Sequence, residues 1–237
     1  MANVVITGAA IGLGMEFLKL HVARGDKVIG CDRDISDELK NLAEENPLVK
    51  AIDMDIACGE SVKAGCEKIK KMITYMDFIY QNAGVFYFED ELPIEKADFE
   101  RALDTYNINA VGMMRVIQGL HPLFIKGTVM CCTASDSASL KLTLDKVYKP
   151  GDRYSSIIYN MSKAAMCMGA CYFYDELVNR IGGRLLIVHP GWMRTSMGGP
   201  NAPGDPAENA RSIFAMSTGE RPTTDIFVDH LGNPIPW

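Results

Sequence analysis

Residues 4–14 read Val4-Val5-Ile6-Thr7-Gly8-Ala9-Ala10-Ile11-Gly12-Leu13-Gly14. An apolar run this short, followed at once by a glycine-rich turn and then a helical pattern, predicts a strand (Val4–Thr7), a tight turn and a helix (Gly12–Arg24). Gly8 lets the chain turn sharply after the strand. Gly12 and Gly14 let the backbone approach a phosphate closely and let the helix pack on the sheet. Ile11 and Leu13 sit in the same turn, beside free N–H groups at the positive end of the helix dipole. Between a strand and a helix, this turn points to a dinucleotide; alone, it is also what any tight turn requires.

The same rhythm continues outward. Strands are predicted at Val28–Asp32, Val49–Asp53, Asp77–Gln81, Thr128–Thr133, Leu185–His189 and Ile226–Val228. Helices fall between them at Ser36–Asn46, Ser61–Thr74, Asp98–Leu120, Ser156–Arg180 and Pro206–Ala215. Alternating β and α elements imply an α/β fold: a Rossmann-type, doubly wound parallel sheet of about seven strands with helices on both faces. Runs such as VVIT and LLIVH are apolar throughout, as strands covered on both faces must be. No linker or repeat interrupts the pattern, so residues 1–237 are expected to form one dinucleotide-binding and catalytic domain. Lys141–Ser155 and Trp192–Pro206 are polar or rich in Gly and Pro and are expected as loops over a substrate, because ligands of open α/β sheets bind beyond the carboxyl ends of the strands.

Composition narrows the function. The chain is 48% hydrophobic and 23% charged, a globular balance. With 24 basic and 30 acidic residues its net charge is −6, and no basic stripe offsets it, so nucleic acid is not an expected partner. The start shows no secretory leader, and no run of about 18 apolar residues occurs, which argues against a membrane span and for the cytoplasm. Seven cysteines without a C-x-x-C pair are expected as reduced thiols. Cys167 and Cys171 share a helix face, but two more ligands would be needed for a metal, and none is expected.

Asp32 ends the second strand, 18 residues after Gly14. A carboxylate there accepts hydrogen bonds from both adenosine ribose hydroxyls and repels a 2′-phosphate. NAD is therefore expected over NADP, with Arg33 partly offsetting the repulsion. The alternative is that Asp32 merely starts a turn. Tyr159 and Lys163 are four apart in a predicted helix and so lie on one face. A tyrosine of pKa about 10 is a poor base at neutral pH, and a neighbouring ammonium favours its phenolate. Such a pair can exchange a proton with an alcohol or carbonyl oxygen.

These stretches, with Asp55-Ile56, Asn82-Ala83-Gly84, Asn109-x-x-Gly112 and Pro190-Gly191, together resemble the short-chain dehydrogenase/reductase family across nearly the whole chain. HPGWMRTSMGGPNAP and the closing Ile235-Pro236-Trp237 resemble the branch holding C-factor and the sniffer-type carbonyl reductases. The resemblance implies that Asp55 and Ile56 flank an adenine, that Asn82, Ala83 and Gly84 shape the cofactor groove, and that Lys163 also bonds the nicotinamide ribose. It implies that Asn109 holds a water leading from Lys163 to solvent, Asn107 fitting the motif less well, and that Pro190, Gly191, Met193 and Thr195 bound the nicotinamide. The family's substrate-orienting serine aligns with Ser135, with Thr133 and Ser137 as alternatives. The implied activity is an NAD(H)-dependent alcohol dehydrogenase or carbonyl reductase acting on a small secondary alcohol or ketone, in a homodimer or homotetramer with contacts on the helices from 98 and 156. Two other readings stay open: a nucleotide-binding signalling protein without turnover, and a lyase or epimerase drawing on Asp136, Asp145 or Asp152.

Overall fold

A computed structural model describes residues 1–87, 97–145 and 156–237. Seven strands form a single parallel sheet: β1 (Asn3–Thr7), β2 (Lys27–Asp32), β3 (Val49–Asp53), β4 (Met76–Gln81), β5 (Phe124–Thr133), β6 (Arg184–His189) and β7 (Phe227–Asp229). Their order is β3-β2-β1-β4-β5-β6-β7. The order reverses between β1 and β4, which opens a crevice at the carboxyl ends of those two strands.

Side chains that alternate along each strand feed two cores. Val4 and Ile6 join the layer of α1 (Gly12–Ala23), α2 (Asp37–Glu45) and α8 (Pro206–Thr218), while Val5 joins the opposite layer. Leu186 and Val188 face the first layer; Leu185 and Ile187 face the second. That second layer contains α3 (Gly59–Met72), α5 (Met113–Leu120) and α7 (Ile157–Tyr172). Every residue from Val4 to Ile6 and from Leu186 to Val188 is at most 1% exposed, which accounts for their uniformly apolar character.

The two long predicted helices are both interrupted. The stretch from 98 divides into α4 (Phe99–Tyr106), a wider π-turn (Asn107–Gly112) and α5. The stretch from 156 divides into α7 and a second π-turn (Asp175–Arg180). Part of the predicted loop from Lys141 is helical: α6 (Leu140–Leu144) starts on the Ser139 hydroxyl, which accepts from Leu142 N at 3.1 Å. Tyr148, Tyr154, Lys146, Lys149, Arg153 and Asp152, expected near a substrate or as acids, lie outside the described residues.

Between the sheet and the layer of α1 and α8 is a buried polar chain. His21 Nδ1 lies 2.8 Å from Asp26 Oδ2, His21 Nε2 lies 2.9 Å from the Tyr80 hydroxyl, and that hydroxyl lies 2.5 Å from Ser217 Oγ. It ties α1 and α8 to the central strand β4. Each member satisfies the next, as buried polar groups must.

Candidate active site

The carboxyl ends of β1, β2, β4, β5 and β6 surround a cleft of about 460 Å³, within the range of small-molecule sites. One end is bounded by Gly8, Gly12 and Asp32, the other by Ser135, Tyr159 and Lys163.

At the first end, Gly8 has φ +67° and its N–H donates to Cys31 O at 2.8 Å. A side chain at Gly14 would place its Cβ 2.0 Å from Gly8 O, so the turn closes only with glycine there. Ile11 is the exposed cap position of α1, while Leu13 is buried beneath it. Asp32 Oδ2 accepts from Ala10 N at 3.0 Å, so the carboxylate is fixed against the turn and lines the cleft. Arg33 extends outward and pairs with Asp34 at 3.1 Å. Asp55 Oδ1 accepts from Ala57 N at 2.9 Å, and Asp55 and Ile56 line the same end. Asn107 donates to Ala57 O at 3.0 Å and so braces this loop rather than the far end of the cleft.

Asn82 joins three strand ends. It donates to Gly8 O at 3.0 Å and accepts from Thr133 Oγ1 at 3.1 Å, while its own N–H reaches Thr7 Oγ1 at 3.0 Å. Ala83 and Gly84 continue along the cleft. Thr133 thus has its hydroxyl engaged by Asn82, and its carbonyl accepts from Lys163 Nζ at 2.9 Å.

At the second end, the N-cap Ser156 accepts from Tyr159 N at 3.2 Å and sets the first turn of α7. Such a cap is worth about 1 kcal/mol to the helix. Tyr159 is half-buried, with Phe86 edge-on to its ring at 5.0 Å. Desolvation raises the phenol's pKa; a hydrogen bond with Ser135 works against that rise, and the Asp136 charge adds to it. Lys163 is 3% exposed and lies 5.7 Å from the Tyr159 ring centre. Burial lowers its pKa to about 8, despite the raising influence of Cys167 and Cys132. Ser135 Oγ accepts from Ser137 N at 3.1 Å.

Asn109 sits in the first π-turn. Its amide accepts from Val85 N at 2.8 Å and donates to Val85 O and to Ser162 Oγ, both at 2.9 Å. Wide turns of this kind concentrate at functional sites because they displace backbone groups from regular pairing. Both N–H groups of the Asn109 side chain are engaged, and its Oδ1 accepts one hydrogen bond. Pro190, Gly191, Met193 and Thr195 form the opposite wall. The loop that holds them is latched by Arg194, which donates to Pro203 O at 2.7 Å and pairs with Asp205 at 3.2 Å.

Of the candidate catalytic and cofactor residues singled out in the sequence, all line this cleft except Gly14 and Asn109, which pack against its lining residues Gly8 and Val85. Asp136 also approaches Tyr159, whereas Asp145 is turned away and paired with Lys141 at 2.5 Å. Val85, Phe86, Trp192 and His189 were not singled out as site residues on motif grounds, except Trp192 as loop lining, yet all line the cleft. His189 could have been found from its place at a strand end directly before Pro190. Among the described residues no helix is long and apolar enough to cross a membrane.

Residues 2–205 match the short chain dehydrogenase family. The chain is 31% identical to C-signal of Myxococcus xanthus over 166 residues, 68% of this chain and 93% of that protein. It superposes on a carbonyl reductase from Pseudomonas aeruginosa PAO1, solved in complex with NADP, with a TM-score of 0.80, 27% identity and full coverage of both chains. The carbonyl reductase Sniffer of D. melanogaster shares the fold at a TM-score of 0.85 and 21% identity, again over both whole chains. With its motifs gathered around one cleft, the chain belongs to the short-chain dehydrogenase/reductase family of oxidoreductases.

Proposed function

We propose that the protein is an NAD(H)-dependent carbonyl reductase or alcohol dehydrogenase acting on a small ketone and its secondary alcohol. The observation that carries this reading is the hydrogen-bonded Ser135–Tyr159 pair with the Lys163 ammonium beside it, at the end of a cleft that begins at a glycine turn and an acidic strand end. A nicotinamide dinucleotide bound in that cleft supplies or takes up the hydride.

In reduction, the Tyr159 hydroxyl donates its proton to the carbonyl oxygen as the carbonyl carbon gains hydride. In oxidation, the phenolate takes the alcohol's proton. The raised pKa keeps Tyr159 protonated, which suits it as the acid. Ser135 donates to the same oxygen and steadies its developing charge. Ser135 is favoured over Thr133 because the Thr133 hydroxyl is engaged by Asn82, and over Ser137 because Ser135 is the partner of Tyr159. Lys163 stabilises the phenolate, and Asn109 fixes the turn behind it. Phe86, Trp192 and Met197 suit an apolar substrate body.

Asp32 supports NAD over NADP; the Pseudomonas relative's complex with NADP is the observation on the other side. Steady-state reduction of a ketone panel with NADH and NADPH tests both halves of the reading: no turnover with either overturns it. A signalling role without turnover, suggested by the likeness to C-signal, predicts that a Tyr159→Phe chain keeps its effect in cells.

We further read the outer faces of α4 and α7 as the contact with a second copy of the chain. Leu103, Met168 and Tyr172 are 66%, 73% and 82% exposed there, and large apolar side chains gathered on one exposed face suit a contact between copies. Sedimentation should show a dimer or tetramer that a Met168→Asp substitution weakens. We place the enzyme in the cytoplasm, where its thiols stay reduced.

A further inference from the structure

The end of β6 carries an imidazole that the reaction above does not use. His189 lines the cleft, and its Nδ1 is buried without a hydrogen-bond partner among the described residues. That nitrogen lies 3.5 Å from Asp136 Oδ1, close enough for charge attraction but beyond a good hydrogen bond. The same Oδ1 accepts from Ser135 Oγ at 3.2 Å. One carboxylate oxygen therefore stands between the serine that faces Tyr159 and a histidine.

A hydroxyl has a single hydrogen to give. During turnover the Ser135 hydrogen has to point at the substrate oxygen. A carboxylate is a stronger acceptor than a ketone, so Asp136 competes for that hydrogen unless something else engages it. We propose that Asp136 and His189 are positioning residues that set the direction of the Ser135 hydroxyl: a protonated His189 takes the Asp136 carboxylate, and Ser135 is released to donate to the substrate. The inference rests on the carbonyl-reductase reading of the site.

The charged and titratable groups facing His189 come from two elements besides its own. Asp136 lies on the turn after β5, and Asp229 and His230 end β7; Tyr159, from α7, faces Asp136. Burial lowers the His189 pKa, His230 lowers it further, and the two carboxylates oppose this. The imidazole therefore gains its proton on the acid side of its ordinary value of about 6.5. Below that point Ser135 is released; above it, Asp136 holds the hydroxyl.

The test is the pH dependence of kcat/KM for NADH-driven reduction of ketones by the full chain, between about pH 5 and 8. The wild type should gain activity on the acid side. His189→Asn should lose that gain, about threefold to tenfold at the acid end, the scale of one charge-assisted hydrogen bond. Asp136→Asn should do the opposite, raising activity at neutral pH and flattening the profile, a gain that misfolding cannot imitate. In a Ser135→Ala background, His189→Asn should change nothing further. Profiles of both single variants that run parallel to the wild type overturn the proposal. A second readout needs no turnover: in the nitrogen-15 spectrum of the histidine rings, Asp136→Asn should lower the pH at which His189 titrates, and an unmoved titration overturns the pairing. A chain that reduces no ketone fails the reading of the site and takes this role with it, whereas turnover with unshifted profiles removes the positioning role alone.

Discussion

The Lys163 ammonium lies 5.7 Å from the centre of the Tyr159 ring, one helical turn away on the same face of α7. Its Nζ donates to the Thr133 carbonyl at 2.9 Å, which holds the ammonium beside the ring. Tyr159→Phe removes the proposed proton donor and should lower kcat by about a thousandfold while dinucleotide binding survives. Isothermal titration with the cofactor, alongside turnover, separates the two.

Lys163 also lowers stability. Burial holds its pKa down to about 8, against about 10.4 in an unfolded chain. The unfolded state thus keeps its proton longer, and the cost to the folded state, roughly 3 kcal/mol, is complete below pH 8 and vanishes as pH rises through the unfolded value. Lys163→Met should abolish turnover and raise neutral-pH stability by about 1–2 kcal/mol, the rest being lost because the Thr133 carbonyl gives up its donor. In thermal melts the gap between variant and wild type should close from pH 7 to pH 10.

The carboxylate of Asp32 is fixed by Ala10 N at 3.0 Å, and the proposed NAD preference rests on its repelling a ribose 2′-phosphate. Asp32→Ser removes the repulsion and leaves Arg33 nearby, so the ratio of kcat/KM for NADPH over NADH should rise by about tenfold or more. A wild type that already prefers NADPH would show that Arg33 outweighs Asp32.

His21 predicts an acid limb of stability. It is fully buried, and desolvation lowers its pKa to about 4, outweighing the Asp26 hydrogen bond that favours the charged form. The stability it contributes is complete above the unfolded pKa of about 6.5 and is lost as pH falls toward 4, by roughly 3 kcal/mol. Asp26, whose pKa is lowered in the folded state by His21, Ala2 N and Arg24 against its own desolvation, adds a further loss at lower pH. His21→Gln should lower the melting temperature at pH 7 and flatten the slope between pH 6.5 and 4. An unchanged slope would show that another group controls it.

The residues read most clearly from sequence are those whose role is local. Gly8 and Gly14 belong to one turn, and Tyr159 and Lys163 to one helix face, so spacing alone relates them. Ser135 and Thr133 could not be separated that way, because what distinguishes them is a bond from Thr133 to Asn82, 51 residues away in sequence. His189 and Phe86 were equally hidden, since the cleft wall is assembled from separate strand ends. The π-turns at Asn107–Gly112 and Asp175–Arg180 leave helical periodicity almost intact, so hydrophobic spacing shows unbroken helices where the backbone widens.

Gly84 supplies a last test of how tightly the proton-transfer end is built. A Cβ there would lie 3.1 Å from Asn109 Oδ1 and 3.4 Å from Lys163 Nζ. Lys163 has some freedom to withdraw, but Asn109 is held by Val85 and Ser162 through three hydrogen bonds and resists displacement. Gly84→Ala should therefore push Lys163 off its position, lowering kcat by about tenfold or more with little change in the cofactor's KM. Gly14→Ala should behave differently. Its Cβ would meet backbone, Gly8 O at 2.0 Å, so the turn has to open and cofactor affinity should fall together with the melting temperature. If Gly84→Ala instead weakens the cofactor and leaves kcat intact, then the contact among Gly84, Asn109 and Lys163 serves binding rather than proton transfer.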